Sequence, residues 1–271
     1  MSIVLGDVSD DPVKKIEQFQ PLADYLAAHL GEFGFGAGEV TITPTIETMA
    51  EKMRSGEIDI YFDSLYPALI VSEKSAAEPI LRRWKDGIGE YHTIFFARSD
   101  SGIKSLADLQ GKMLGLESPE STSGFFLPVV YLLQAGFNPV QKGKETETVA
   151  ADEIGYVFTD EDENTIQWVA SGKVAAGATD SGSFMKIPEE SQSELIVLSE
   201  TKNVARHVVL VAADIDPELR TAIKTLLLNL DDTLEGQEIL QTFEETTHFD
   251  ELPPESGWEQ MQDLYQVFQG N

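Results

Sequence analysis

Ser121, Thr122 and Ser123 stand in a row directly before Gly124, in the stretch SPESTSGFF, and an apolar run follows at once. The preceding KMLGLES reads as a strand, so the chain reaches Pro119 and a helix is predicted to begin near Ser121 or Thr122. The first N–H groups of a helix lack intrahelical partners and carry partial positive charge, which suits a tetrahedral oxyanion. Three hydroxyls could add donors, and Gly124 would let the backbone approach closely. Ordinary capping needs only one hydroxyl, so the row predicts an anion site.

Two carboxylates are placed by a different rule. SGEIDIYFDS (55–64) and SGKVAAGATDSG (171–182) both run from a helix through a Ser-Gly stop into a strand that ends in Asp. Ligands of open α/β sheets bind outside the carboxyl ends of strands. Asp63 and Asp180 are therefore candidate ligand contacts. Tyr61, Phe62, Tyr66 and Tyr91 could wall a cleft or offer hydroxyls, although alternation along a strand sends some of them into the core.

These residues need elements to hold them. SIVLGDV reads as a buried strand, and a helix is predicted at about 12 to 30, opened by Pro12 with Ile16, Phe19, Leu22, Leu26 and Leu30 at helical spacing. VTITPT reads as a strand, ETMAEKMRSG as a helix closed by Gly56, and IDIYF as a strand. The middle repeats this grammar with YHTIFFARSD, SLADLQG, KMLGLES, a helix from STSGFF to the stop at Gly136, TIQWVASG and VAAGATD. Pro128 is expected to kink that helix. SELIVLSE and RHVVLVA read as strands, followed by a helix at about 216 to 230. A terminal helix is expected to dock through Trp258, Met261, Leu264, Tyr265 and Phe268. Strand and helix alternating with short connections predict an α/β fold of doubly wound lobes. A length of 271 residues favours two of them.

Composition closes off several functions. Asp and Glu number 47 against 19 Lys and Arg, a formal charge of −28 that repels nucleic acid and anionic membrane. The chain has no cysteine, which excludes disulfides, thiol catalysis and thiolate metal sites. It has no apolar run long enough to span a bilayer. DEDEN (160–164) begins like a calcium loop, but Thr165 takes the glycine position and Ser171 that of the bidentate Glu. No phosphate loop or nucleophile elbow is present, and no cofactor or metal is expected.

STSGFFLP with its upstream flank ARSDSGIKSLADLQGKMLGLESPE resembles the phosphate, phosphite and phosphonate binding proteins of ABC importers. PLADYLAAHLG, MRSGEIDIYF and SGKVAAGATDSG fit the same pattern, so the likeness reaches to about residue 230. The resemblance implies a type II periplasmic-binding fold, two α/β lobes joined by two crossovers and closing on ligand by hinge motion. The crossovers are expected near Phe95–Arg98 and Ala205–Val208, giving lobes of 1–96 with 206–271 and of 97–205. It implies a monomeric, non-enzymatic, periplasmic or extracellular membrane-associated protein whose export leader is absent here, with a membrane permease as transient partner.

Carried over by resemblance, the family's hydroxyl row falls on Ser121, Thr122 and Ser123, a cleft tyrosine on Tyr91 and a polar position on Asp180. Several positions depart. Ile46 or Thr48 stands where a tyrosine is common, Asp162 replaces a histidine, Asp63 replaces a glycine, and Arg206 and His207 replace an Asn-Asp-Pro stretch. A carboxylate facing a dianion is repulsive, so Asp162 and Asp180 would favour a protonated oxyanion or a ligand ammonium group. Arg206 could hold a carboxylate or phosphate, or serve as a hinge ion pair. His207 could be structural or a pH-sensitive contact. A phosphonate, or another small oxyanion with a second polar group, is the expected ligand. Two alternatives are a sensing module of the same fold that signals to a membrane receptor, and an enzyme handling a phosphorylated metabolite.

Overall fold

The structure, a computed structural model, describes residues 1–254 and 257–270. The chain begins β1 (Ser2–Val8), α1 (Pro12–His29), β2 (Ala37–Thr43), α2 (Ile46–Arg54), β3 (Ile60–Asp63), α3 (Leu65–Ser75) and β4 (Glu78–Lys85). It continues β5 (Glu90–Tyr91), β6 (Thr93–Arg98), β7 (Met113–Leu116), α4 (Leu127–Gln134), β8 (Asn138–Gln141) and β9 (Glu153–Phe158). Next come α5 (Asp162–Ala170), β10 (Ala176–Asp180), α6 (Ser181–Met185), α7 (Glu189–Gln192), β11 (Leu195–Glu200), β12 (Val204–Ala205) and β13 (His207–Val211). The last are α8 (Pro217–Leu228), α9 (Leu234–Thr242), β14 (Thr246–Asp250) and α10 (Trp258–Gln269).

The chain divides into two compact units, 1–90 with 205–261 and 91–204 with 262–271. The first unit has a six-stranded sheet in the order β14-β4-β13-β3-β1-β2. β1 runs parallel to β2 and β3, whereas β13 is antiparallel to β3 and β4. α1 lies so close on β2 that a Cβ at Gly38 would stand 2.2 Å from the carbonyl carbon of Ala23. Only glycine permits that approach. Phe62 fills the core beneath, with the rings of Phe19, Phe243 and Phe249 at 6.1, 4.9 and 6.2 Å. Ile16, expected on the buried face of α1, is instead 41% exposed. Burial on this helix starts at Phe19, and Lys15, half-buried in the turns before it, is committed to ion pairs.

The second unit carries the order β11-β6-β10-β7-β9-β8, with β7, β9, β8 and β10 parallel and β6 antiparallel to β10 and β11. Two chain crossings were expected near Phe95–Arg98 and Ala205–Val208; the units divide at 90/91 and 204/205. Phe95–Arg98 lies within β6, paired on both sides inside the sheet. Residues 262–271 were expected with the first lobe and fall with the second unit. There Phe268 sets its ring 5.7 Å from Phe125 and 5.5 Å from Phe126, and Tyr265 lies 6.3 Å from Phe126. Aromatic pairs of this kind add to ordinary burial. β5 and β12 form a two-stranded sheet of their own.

Candidate functional site

In the second unit the hydroxyl row follows β7 as expected, but the turn it opens is not α-helical. Thr122–Phe126 is a π-turn, with Phe126 N–H donating to Ser121 O at 3.0 Å and Leu127 N–H to Thr122 O. Pro128 accounts for the wide turn. It has no N–H to give back to the preceding turn, so two carbonyls are satisfied from elsewhere. Ser123 O accepts from Thr93 Oγ1 at 2.7 Å, and Gly124 O accepts from Glu117 N–H at 3.0 Å. Pro128 thus sits in the first turn of α4, where proline is tolerated, and the irregularity lies just before it. Wide turns of this kind recur at functional positions.

Ser121 caps the turn, accepting from Gly124 N–H at 2.8 Å. Its own proton goes to Glu117 Oε2 at 2.6 Å. Gly124 was expected to leave room for a ligand, and that room is taken: a Cβ there would lie 2.4 Å from Glu117 Cβ and 2.6 Å from Glu117 Oε2. Thr122 and Ser123 are buried, 2% and 5% exposed. Burial pushes the Glu117 carboxyl up, with Asp180, Glu161 and Glu163 adding to it and the Ser121 hydroxyl opposing.

Asp180 ends β10 as the strand rule predicts, and it caps α6 by accepting from Gly182 N–H at 2.7 Å and Ser183 N–H at 3.2 Å. Asp162 opens α5 and accepts from the Thr179 hydroxyl. It also shares a hydrogen bond with Asp180. Burial, then the Glu117 charge, pushes the Asp162 carboxyl up to about 8. Two carboxyls sharing one proton cannot both ionise cheaply. Tyr91 is buried in β5, and its neighbour His92 pairs Nδ1 with Asn203 Oδ1 at 2.9 Å.

In the first unit Asp63 ends β3, accepting from Ser64 N–H at 2.6 Å and from the Tyr61 hydroxyl. Burial pushes its carboxyl up. Tyr61 and Tyr66 are both buried, 0% and 7% exposed. Beside Asp63 lies a charge network that the sequence did not suggest. Lys15 Nζ stands 2.6 Å from Asp7 and 2.5 Å from Glu244. Glu244 also meets Arg83 at 3.0 Å and Lys85 at 3.3 Å. Arg83 is fully buried, donating to Thr246 Oγ1 at 2.8 Å and Phe243 O at 3.2 Å, with its guanidinium 4.2 Å from the Phe243 ring centroid. Burial works against the Glu244 charge, but Arg83, Lys85 and Lys15 outweigh it and hold this carboxyl well below its ordinary range. Asp7 shows the reverse balance. Burial prevails over Lys15 and pushes it up to about 6.

Arg206 and His207 open the return into the first unit, and Arg206 N–H donates to Gly89 O at 2.9 Å. The surroundings of His207 disfavour its charged form. Burial first, then the cations Lys85, Arg83 and Arg206, drive its pKa well below the ordinary 6.5, so the ring stays neutral at physiological pH. The structure therefore gathers Ser121, Thr122, Ser123, Asp162 and Asp180 at one end of the second sheet. It places Tyr61, Asp63 and His207 near the end of β3 in the first. Glu117, Asp7, Lys15, Arg83, Lys85 and Glu244 escaped the sequence reading. Asp7 and Glu117 were findable, since each lies within a residue of the carboxyl end of a strand.

Two mixed α/β units crossed more than once by the chain, with polar clusters at the strand ends, define a type II periplasmic-binding fold. Comparison with solved structures agrees. XAC2383 from Xanthomonas citri, solved with chloride and with ATP, superposes with a TM-score of 0.89 in both cases. The chloride form is 29% identical over 98% of this chain and 97% of that one; the ATP form is 28% identical over 98% and 96%. PhnD1 from Prochlorococcus marinus (MIT 9301), in complex with methylphosphonate, is 18% identical over 98% of each chain with a TM-score of 0.66. The family model for "ABC transporter, phosphonate, periplasmic substrate-binding protein" matches residues 8–256, and the chain belongs to that family. Membership makes it a substrate-binding protein of an ABC importer, acting outside the cytoplasm with a membrane permease as partner. Among the described residues no helix is long and apolar enough to cross a membrane.

Proposed function

We propose that this protein delivers a small phosphonate bearing a protonated amine, or another phosphorus oxyanion with a second polar group, to its permease. The observation that carries the reading is the Ser121–Thr122–Ser123 row set beside the Asp162–Asp180 carboxyl pair in one unit. Hydroxyls and the amides of a turn suit an oxyanion. A pair of carboxyls that holds one proton suits an ammonium group, or an oxyanion that brings its own proton, and repels a bare dianion. Tyr91, Tyr61, Tyr66, Asp63, Arg206 and His207 belong to the proposal as further ligand contacts or supports. Hinge motion about the crossings at 90/91 and 204/205, and action as a monomer, belong to it as well.

A thermal-shift comparison of phosphate, phosphite, methylphosphonate, 2-aminoethylphosphonate, sulfate and small carboxylates tests the reading. Ligand that binds only the native state raises the melting temperature by mass action. The largest rise is expected with 2-aminoethylphosphonate, and the Ser121→Ala, Thr122→Ala double variant should abolish it. A panel in which only carboxylates act would reject the phosphorus ligand while leaving the family assignment intact.

A further inference from the structure

A ligand oxygen placed on the Ser121 hydroxyl or above Gly124 meets a competitor already there. The Ser121 hydroxyl proton is donated to Glu117 Oε2 at 2.6 Å, and the space above Gly124 holds the Glu117 side chain, with Oε2 2.6 Å from where a Cβ would stand. The backbone fixes this arrangement. Glu117 N–H donates to Gly124 O at 3.0 Å, and its carbonyl accepts from Asp160 N–H at 2.9 Å and Thr159 N–H at 3.2 Å. A carboxylate presents two oxygens to hydroxyl and amide donors much as one edge of a phosphonate does.

We infer that Glu117 is a built-in occupant of the Ser121 turn, a specificity residue whose carboxylate holds the place of a ligand oxygen and must be displaced or neutralised before an oxyanion binds. The inference rests on the functional reading above and adds to it a selection rule. Fully ionised oxyanions meet a negative charge at the donor row itself, whereas a ligand that carries a proton or an ammonium group can neutralise it. The charged groups facing Glu117 all act in one direction. Asp180, Glu161 and Glu163 each push its carboxyl up, and Asp162 and Glu117 repel one another. Their repulsion and the burial of the carboxyl favour its neutral form, so oxyanion affinity should fall as pH rises and Glu117 becomes charged.

The test is a titration of the full chain with methylphosphonate and, separately, sulfate, followed by the amide resonances of Thr122, Ser123 and Gly124 at pH 6 and pH 8.5. Sulfate does not titrate in this range, so its pH dependence belongs to the protein. Glu117→Gln keeps the side chain's size and an acceptor for Ser121 while removing the charge. At pH 8.5 it should bind both anions at least tenfold more tightly than the parent, and the advantage should be no larger at pH 6, shrinking as the pH falls toward the titration of the raised Glu117 carboxyl. Glu117→Ala, which empties the space, should move affinity in the same direction. Equal or weaker binding by both variants at pH 8.5 overturns the inference, as does an absence of amide shifts with either anion in both variants. Sulfate shifts enhanced by Glu117→Gln, with no response to methylphosphonate in either protein, support the role of Glu117 and reject the phosphonate reading. Tight methylphosphonate binding that the variants weaken does the reverse.

Discussion

Replacing Asp162 with Asn isolates the cost of placing a second carboxyl beside Asp180. The Asp162 carboxyl is raised from 3.8 to about 8, with burial as the main cause and Glu117 next. At about 1.4 kcal/mol per pH unit, that displacement sets a ceiling near 6 kcal/mol on the penalty for ionising Asp162 in the fold. The proton is shared with Asp180 and the side chain is only half-buried, so a penalty of about 2 kcal/mol is expected once solvent screening is included. The sign follows from proton counting. Between pH 4 and pH 8 the folded chain keeps a proton on Asp162 that the unfolded chain has released, so stability is full below that window and is lost as pH rises through it. Asn carries no such proton, yet its carbonyl can still accept from Thr179 and its amide can still donate to Asp180. Asp7 and Asp63, in the first unit, also have raised pKa values and cancel when variant is compared with parent, whereas Glu117 is relieved of the Asp162 charge in the variant and shifts the difference in the same direction. Urea unfolding from pH 3.5 to 9 is the assay, read by Trp168 on α5 in a background with Trp84 and Trp258 replaced by Phe. The stability of Asp162→Asn relative to the parent should climb by about 2 kcal/mol across that range. Parallel curves would refute the shared proton.

Three further outcomes follow from the first unit. Glu244→Gln should cost about 3 kcal/mol at pH 7, because it takes away the carboxylate that the buried Arg83 guanidinium and Lys85 pair with, while Lys15 keeps Asp7. The penalty should shrink in urea unfolding at pH 3.5, since a depressed carboxyl contributes its stability above the ordinary 4.5 and loses it as pH falls further. His207 should show no imidazole titration by NMR between pH 5.5 and 8, and a midpoint near 6.5 would contradict the cationic surroundings assigned to it. Gly38→Ala drives a methyl into the α1 backbone at Ala23 and should lower stability by about 2 kcal/mol or more, visible as an early unfolding phase of the first unit.

Periodicity made most elements readable, because burial on one face imposes it. β1, α1, β3, β10 and α8 lie within a few residues of their expected positions. The misreadings share a cause, which is that local pattern carries no information about partners distant in sequence. Ile16 keeps the helical spacing of α1, but the core it would join begins only at Phe19. Phe95–Arg98 is apolar and extended, as a crossing could be, yet β10 and β11 claim both of its edges. The end of α10 falls with the second unit because Phe125 and Phe126 supply rings for Phe268, a pairing across more than 140 positions.

The same limit shaped the candidate site. A row of hydroxyls announces donors, and donors suggest an anion, but sequence does not say whether the protein has already answered its own donors. Glu117 does so for Ser121 across four residues, and it is visible only when Gly124 turns back toward β7. The strand-end rule nominated Asp63 and Asp180 from their Ser-Gly flanks. Applied to every strand without that filter, it would also have nominated Asp7 and Glu117, the two acids that burial perturbs beside those sites. An acidic residue within one position of a strand's carboxyl end is cheap to notice and costly for the fold to keep, because it must be desolvated among backbone dipoles and other side chains. Four of the residues so placed have a carboxyl that burial pushes up or a cap to make at the sites described, Asp7 and Asp63 in the first unit and Glu117 and Asp180 in the second, in a chain that carries excess negative charge. A fold that selected only for oxyanion affinity would not retain carboxylates at its donor row. On the proposed reading, their presence suits a ligand whose own proton or ammonium group is read together with its oxyanion.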